Sequence, residues 1–408
     1  MSESFFTSVE FWKYLSIPVV AAFVGWLTNY VAIKMLFYPV EPIGKPPYLG
    51  WQGILPSKAA KMGAITADTT LSKLGTLKEV FESMQPQRIA EHLIRYIGPR
   101  VDAYVEWIML EEHPKLWNSL PDIFKSFIAN MVRQKLPESV HAMMDEIGEQ
   151  VEELVDVKQL VVDEVTKDKT IINRIFLECG KVEFHFIIVS GLYFGFPFGL
   201  IQMVVWYFYP AWWILPLFGV IVGYATNWIA LRIIFQPLEP KKIGPFVVQG
   251  LFLKRQKEVA EIWCDIVTRE VITVHNIMHA MLFGPNSEKT NQIIHRYIRE
   301  IVDSAVSIIK PVAQLAFTSE EFDKIQLSAS EKALLATSSA FDDPEFTEER
   351  ARIVKAMIQE RMENLPPAEF QNLLRPAFQE DEMKLILLGA ALGFAAGLAQ
   401  LFFVFGGI

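Results

Sequence analysis

The sequence predicts an all-α membrane protein, with four transmembrane helices from two parallel repeats, each carrying a large helical cytoplasmic insertion. Three observations predict it. Residues 25–42 recur as residues 223–240, a shift of 198 positions. Apolar stretches almost free of charge bracket two long polar segments. Basic residues collect on one side of those stretches.

The repeat comes first because any topology must place both copies equivalently. Gly25, Thr28, Asn29, Ala32, Phe37, Pro39, Glu41 and Pro42 recur as Gly223, Thr226, Asn227, Ala230, Phe235, Pro237, Glu239 and Pro240, and Lys34 recurs as Arg232. A repeat this long is a duplicated domain, not a solenoid unit. The same shift relates Gly191, Gly195, Gly199, Leu200 and Gln202 to Gly389, Gly393, Gly397, Leu398 and Gln400. Each copy therefore opens on a GxxTN segment and closes on a GxxxGxxxGLxQ segment. A weaker match, shifted by 201, sets Arg95, Tyr96, Ile97, Val101 and Asp102 against Arg296, Tyr297, Ile298, Val302 and Asp303.

Residues 1–13 form an N-terminal tail. Its Glu3 and Glu10 do not suit the basic leader of a signal peptide, so residues 14–37 read as a retained first span. A span needs about 20 mainly apolar residues, and residues 14–33 carry no charge. Residues 38–183 form a first helical soluble domain. Residues 184–208 and 212–236 form the second and third spans, because the run 184–235 is too long for one span and holds only His185 and Arg232 as ionisable groups. Tyr209-Pro210 marks the turn between them. Trp206, Tyr207, Trp212 and Trp213 around it suit the headgroup level. Residues 237–383 form a second helical soluble domain, and residues 384–406 the fourth span.

Two spans per copy return the chain to its starting side, so both polar segments share one side. Lys34, Lys45, Lys58 and Lys61 follow the first span, and Arg232, Lys241, Lys242, Lys254, Arg255 and Lys257 the third; the opposite side offers Lys13. Basic residues near span ends mark the cytoplasmic face. Within the polar segments, residues 122–136 and 290–309 place apolar residues at i, i+3, i+4 and i+7, the pattern of amphipathic helices. Pro121, Pro137, Pro311 and Pro344 punctuate such runs. No sustained alternation argues for a sheet, and residues 336–347 read as a flexible loop.

Composition agrees. Hydrophobic residues make up 51% and charged residues 21%, and the net charge is −9, without the basic stripe that nucleic acid requires. Cys179 and Cys264 are distant and form no disulfide framework, as in a reducing compartment.

The candidate sites follow from what a membrane tolerates. Thr28, Asn29, Thr226 and Asn227 sit mid-span among small residues and should face protein rather than lipid. They read as packing contacts at the interface between the copies, or as an intramembrane polar cluster with Gln202 and Gln400. Gly25, Gly191, Gly195 and Gly199, with Gly223, Gly389, Gly393 and Gly397, read as helix-packing positions. The spans hold no central carboxylate, Lys or Arg, which argues against an ion- or proton-coupled transporter. After each FxPxEP turn comes an apolar, aromatic stretch: Pro46, Pro47, Tyr48, Leu49 and Trp51 in copy one, Pro245 to Phe252 in copy two. Each should dip into the membrane interface, with Lys34, Lys58, Arg232 and Arg255 as a lipid-headgroup site. In the acidic run 145–156, Asp145, Glu149, Glu152 and Asp156 share a helical face that reads as solvated. His275 and His279 have zinc-ligand spacing but lack the Glu and third ligand of a zincin. No metal, cofactor or catalytic residue is expected; Walker A, Rossmann, CxxC and GxSxG patterns are absent from the sequence.

The GxxTNxxAIKMLFxPxEP segment and its second copy resemble a bacterial integral membrane family of unknown function that includes YheB-like and YjiN-like proteins. The basic loop and the closing PxxFQEDExxLI (Pro376, Phe378, Gln379, Glu380, Asp381, Glu382, Leu385, Ile386) carry the same resemblance. It implies a helical, multi-pass protein of the bacterial cytoplasmic (inner) membrane and offers no catalytic residues. The expected function is a non-enzymatic membrane scaffold that gathers lipids or partners. Its partners would be membrane lipids and, through the cytoplasmic segments, another protein or a second copy. The alternative is a passive channel or transporter lined by Asn29, Asn227, Gln202 and Gln400.

Overall fold

The computed structural model describes residues 9–45, 49–307, 319–379 and 382–406. Its fold is that of an all-α membrane protein with four helices long and apolar enough to span a bilayer. The principal elements in chain order are α1 (Val9–Phe37), β1 (Ile43–Lys45), β2 (Leu49–Trp51), α2 (Ile54–Ser57), α3 (Pro86–Ile97), α4 (Val101–Glu112), α5 (Asp122–Leu154), α6 (Thr170–Cys179), α7 (Lys181–Phe208), α8 (Ile214–Phe235), β3 (Lys241–Ile243), β4 (Phe246–Val248), α9 (Leu251–Lys254), α10 (Ser287–Ser307), α11 (Ser319–Ala340), α12 (Pro344–Glu363), α13 (Pro367–Gln379) and α14 (Glu382–Phe405). They form two compact units. One comprises Met1–Thr70, Val165–Trp263 and Arg361–Ile408; the other comprises Leu71–Glu164 and Cys264–Glu360. Each unit takes segments from both copies.

The first unit holds the spans α1, α7, α8 and α14. α1 packs along α7 and α8 along α14; α7 then meets α8, α1 meets α14, and α1 touches α8 across the diagonal. Val19, Phe23, Phe196, Ile201, Leu387 and Phe402 stand exposed on these helices. Such an apolar exterior is costly in water and favourable against lipid tails. At one end of the bundle Ile17, Trp206, Ile214, Leu215 and Leu401 form an apolar cluster. Trp206 is therefore buried, with its ring 5.1 Å from that of Phe405. The interfacial position expected of it falls to Tyr207, Phe208, Tyr209, Trp212 and Trp213, all exposed.

The second unit contains none of the spans and, among the described residues, only helices. Its main helices close a ring: α5 packs on α10, α10 on α11, α11 on α3 and α4, and these two on α5. The amphipathic patterns expected at 122–136 and 290–309 are the beginning of α5 and most of α10.

Four expectations are corrected here. Two small antiparallel hairpins follow the first and third spans: β1–β2 pairs Ile43 with Trp51, and β3–β4 pairs Lys241 with Val248. Three-residue strands are too short to show an alternation in the sequence. Pro137 lies inside α5 and does not end it. Leu136, Val140 and Met144 are buried on either side of it, and this packing outweighs the one backbone bond that proline removes. The expected loop 336–347 is instead the end of α11, a three-residue connection and the start of α12. Finally, α5 stops at Leu154, so Asp156 leaves the acidic face; its Oδ1 accepts from the backbone N–H of Gln159 at 3.0 Å. Pro46, Pro47, Tyr48, Pro311, Glu380 and Asp381 lie outside the described residues.

Candidate functional site

The glycines form two equivalent seams, one inside each copy. A β-carbon built on Gly25 would stand 2.5 Å from the Gly191 carbonyl oxygen, one on Gly195 2.8 Å from that of Ala21, and one on Gly199 2.5 Å from the Pro18 Cα. In the second copy, Gly389 meets Gly223 O at 2.8 Å and Gly397 meets the Pro216 Cα at 2.7 Å, with Gly393 against Gly219 between them. Each of these three backbone pairings in the second seam is one of the first moved along by 198 residues. Backbone presses on backbone, which only glycine permits.

The Thr-Asn pairs use this closeness. The Asn29 amide donates to Ile187 O at 2.7 Å, across the α1–α7 seam. It ties the two spans of one copy together, and its Oδ1, also buried, has no partner among the protein atoms. Asn227 stands against Gly389 across the α8–α14 seam. The hydroxyls of Thr28 and Thr226 bond back to their own helices, at Gly25 O (3.1 Å) and Val222 O (2.8 Å). The expected contact between copies is thus, at Asn29, a contact within a copy.

Gln202 and Gln400 are buried too. On α7, however, Gln202 lies 15 residues beyond Ile187, the partner of Asn29. At 1.5 Å per residue this is about 22 Å along the helix. The intramembrane amides occupy two layers and not one cluster.

Where each odd-numbered span ends, a hairpin is fastened back onto the helix. The FxPxEP turn has a cis bond before its first proline in both copies, at Tyr38-Pro39 and Gln236-Pro237. Gly53 N–H donates to Pro39 O at 2.9 Å and Gly250 N–H to Pro237 O at 3.0 Å. The preceding glutamines donate to Val40 O at 2.7 Å and Leu238 O at 3.1 Å. The last carbonyls of the spans are capped from a distance: Asn173 donates to Phe37 O at 2.7 Å, and Gln371 to Phe235 O at 3.3 Å. Asn173 and Gln371 are also 198 residues apart, and extending the repeat comparison to them would have found this pair. Replacing Gln52 or Gln249 by alanine should lower the unfolding free energy of the protein in micelles by about 1 kcal/mol each. Equal shifts in both variants are expected; a shift in only one would show that the hairpins are not equivalent.

The four basic residues expected at lipid headgroups separate. Lys34 is exposed, with its ammonium 5.1 Å from the Tyr38 ring centre; Arg232 is exposed, 5.0 Å from that of Trp228. Lys58 and Arg255 hold equivalent positions after α2 and α9, both part-buried or less exposed than the first two. Arg255 is committed internally and is not available to a headgroup. It donates to Glu183 Oε2 at 2.6 Å and to both carboxylate oxygens of Glu258 at 2.7 and 2.9 Å. The hydrogen bond with Glu258, and then that with Glu183, holds the guanidinium even further above its ordinary range. The same bond lowers Glu258. Glu183 is only 3% exposed and belongs to copy one, Arg255 to copy two. Sequence spacing gave no sign of this ion pair between the copies.

The acidic run of α5 also finds partners: Asp145 accepts from Gln87, Glu146 from Arg296 and Tyr297, and Glu153 from Lys289 at 2.8 Å. His275 and His279 stack with ring centres 6.2 Å apart, and His275 faces Asp342 at 3.5 Å. Among the described residues no three His, Cys, Asp or Glu side chains converge as metal ligands.

An all-α bundle with a duplicated glycine seam defines a helical membrane protein, and the chain is similar to proteins named as membrane proteins. It is 26% identical over 137 residues to a UPF0754 membrane protein of Trichodesmium erythraeum, covering 33% of this chain and 31% of that protein. It is 31% identical over 100 residues to one from Microcystis aeruginosa, covering 24% and 22%. It is 30% identical over 95 residues to one from Staphylococcus epidermidis, covering 22% and 25%. The chain matches about a third or less of the length of these relatives. No family model matches it.

Proposed function

We propose that the chain is a non-enzymatic scaffold anchored in the bacterial inner membrane, with its polar segments in the cytoplasm. The observation that carries this reading is the pair of glycine seams. They bring span backbones into contact in both copies, which suits a rigid anchor better than a hydrated path. Lys34 and Arg232, exposed at equivalent span ends beside aromatic rings, would meet anionic headgroups. The relatives named as membrane proteins favour this placement, and the duplicated motif favours kinship with the YheB-like and YjiN-like group. A partner protein or a second copy would dock on the cytoplasmic helices.

A passive pathway is the second reading, favoured by the buried Asn29 Oδ1 and Gln400 Nε2, which have no partner among the protein atoms. Flux of small solutes from liposomes containing the purified chain separates the two. The scaffold reading expects leakage no faster than from protein-free liposomes; a protein-dependent flux abolished by Asn29→Leu would replace it with the channel. Labelling of single cysteines introduced at Glu111 and Lys332 tests the orientation, and reaction with an impermeant reagent from outside intact cells would reverse it.

A further inference from the structure

The ring of helices in the second unit lines a partly open cavity of about 210 Å³. That exceeds the roughly 150 Å³ of an engineered apolar cavity that binds benzene. Its walls come from both copies in equivalent positions. On one side, Ile97 and Val101 of copy one face the space; Ile298 and Val302, shifted by 201, do so from copy two. On the other, α5 presents Val132, Leu136 and Ser139, and α11 presents Ala329, Ala333 and Ala336, shifted by 197. The second copy thus has alanine where the first has larger side chains. Alanine at 329 and 333 leaves more room on the α11 wall than valine and leucine would.

A row of small residues can be mere loose packing, but a second observation points to a ligand. Ser139 lines the cavity, is 3% exposed, and its hydroxyl has no hydrogen-bond partner among the protein atoms. An unmet buried hydroxyl costs about 1–3 kcal/mol, so an acceptor inside the cavity would remove a real penalty. From Ile128 to Met143, the wall on α5 runs 15 residues, about 22 Å at 1.5 Å each, long enough for one acyl chain. One acyl chain fills half of a bilayer core of about 30 Å, or roughly 15 Å. The wall is mostly apolar, with Tyr104, Ser139, Tyr297, Lys332 and Thr337 as its polar residues.

We propose that this cavity binds a single acyl chain, with the chain along α5 and α11 and its carbonyl oxygen accepting a hydrogen bond from Ser139. Burial raises the phenol of Tyr104, also in the wall, above its ordinary value. Lys332 reaches the wall too, but its ammonium is paired with Glu111 at 2.8 Å. A neutral carbonyl suits this site better than a free carboxylate, whose burial without a cation is costly.

The test uses the full chain in nanodiscs and two probes with a diazirine at the chain end: methyl palmitate, and a phosphatidylcholine of the bilayer. Cross-linked peptides are mapped by mass spectrometry. Labelling of peptides from α5 and α11 by either probe is expected, and the arm that labels identifies the source of the chain. The double substitution Ala329→Val with Ala333→Leu restores the side chains of the first copy. It should cut this labelling more than tenfold while the unfolding temperature holds or rises. Ser139→Ala, which keeps the space, should weaken methyl palmitate labelling about fivefold. Ala329→Val alone provides a milder filling if the double variant does not fold, and should cut labelling at least threefold. Background labelling of α5 and α11 in both arms, or undiminished labelling in the filled variants, would overturn the proposal.

Discussion

Gly191→Leu should unlock the first span pair and cost about 3 kcal/mol of stability, at the upper end of ordinary overpacking. The size follows from what the new side chain meets. Gly191 and Gly25 are each within contact of the other's backbone, with 2.5 Å between a β-carbon on Gly25 and the Gly191 carbonyl oxygen. A flexible side chain could turn aside, but a helix backbone cannot, so α1 and α7 must part along their length. Parting them also breaks the Asn29 bond to Ile187 O. Gly389→Leu should cost as much, because Gly223 O and the Asn227 amide occupy the corresponding space. Unfolding in mixed micelles of rising denaturing-detergent fraction, followed by tryptophan fluorescence, measures both. Leu192→Ala, next in sequence but on the exposed face, serves as the control and should shift the midpoint little. If Gly191→Leu behaved like Leu192→Ala, the seam would not hold the bundle together.

The seams were legible in the sequence because membrane packing restricts composition. Gly191, Gly195 and Gly199 recur at the helical interval, and their copies recur 198 residues later. Spans are likewise visible because lipid demands long apolar runs. Between the spans the duplication is fainter, a short match shifted by 201. α5 and α11 line the same cavity, yet at a shift of 197 Leu136 answers to Ala333 and Val132 to Ala329, and few identities survive beyond Ile128 with Ile325 and Lys135 with Lys332. A position in a helical wall need only be apolar, so its identity drifts while its place does not. The hairpins β1–β2 and β3–β4 were hidden for another reason: their strands are three residues long, below any periodic signal. Pro137 misled because local propensity was outweighed by burial on both sides of it. Arg255 was read as a surface cation since nothing local reveals a carboxylate 72 residues away.

That carboxylate sets up the second large effect. Arg255→Met should destabilise the protein by about 3–5 kcal/mol, the usual result of removing one partner from a buried ion pair. Glu183 would then keep its charge at 3% exposure with no cation, and one of its oxygens already lacks a partner. Glu183→Gln should cost less, about 1–2 kcal/mol. The reason lies in Arg255, which would still be held by both oxygens of Glu258, a residue with its side chain 56% exposed. The two ends of one bond are therefore unequal. The double variant Arg255→Met with Glu183→Met should recover much of the larger loss, because two apolar side chains leave no stranded charge. All three variants can be compared by the same detergent titration. A Glu183→Gln loss equal to that of Arg255→Met would mean that the pair is solvated. The pair would then contribute little to holding the copies together beside the apolar packing of their spans.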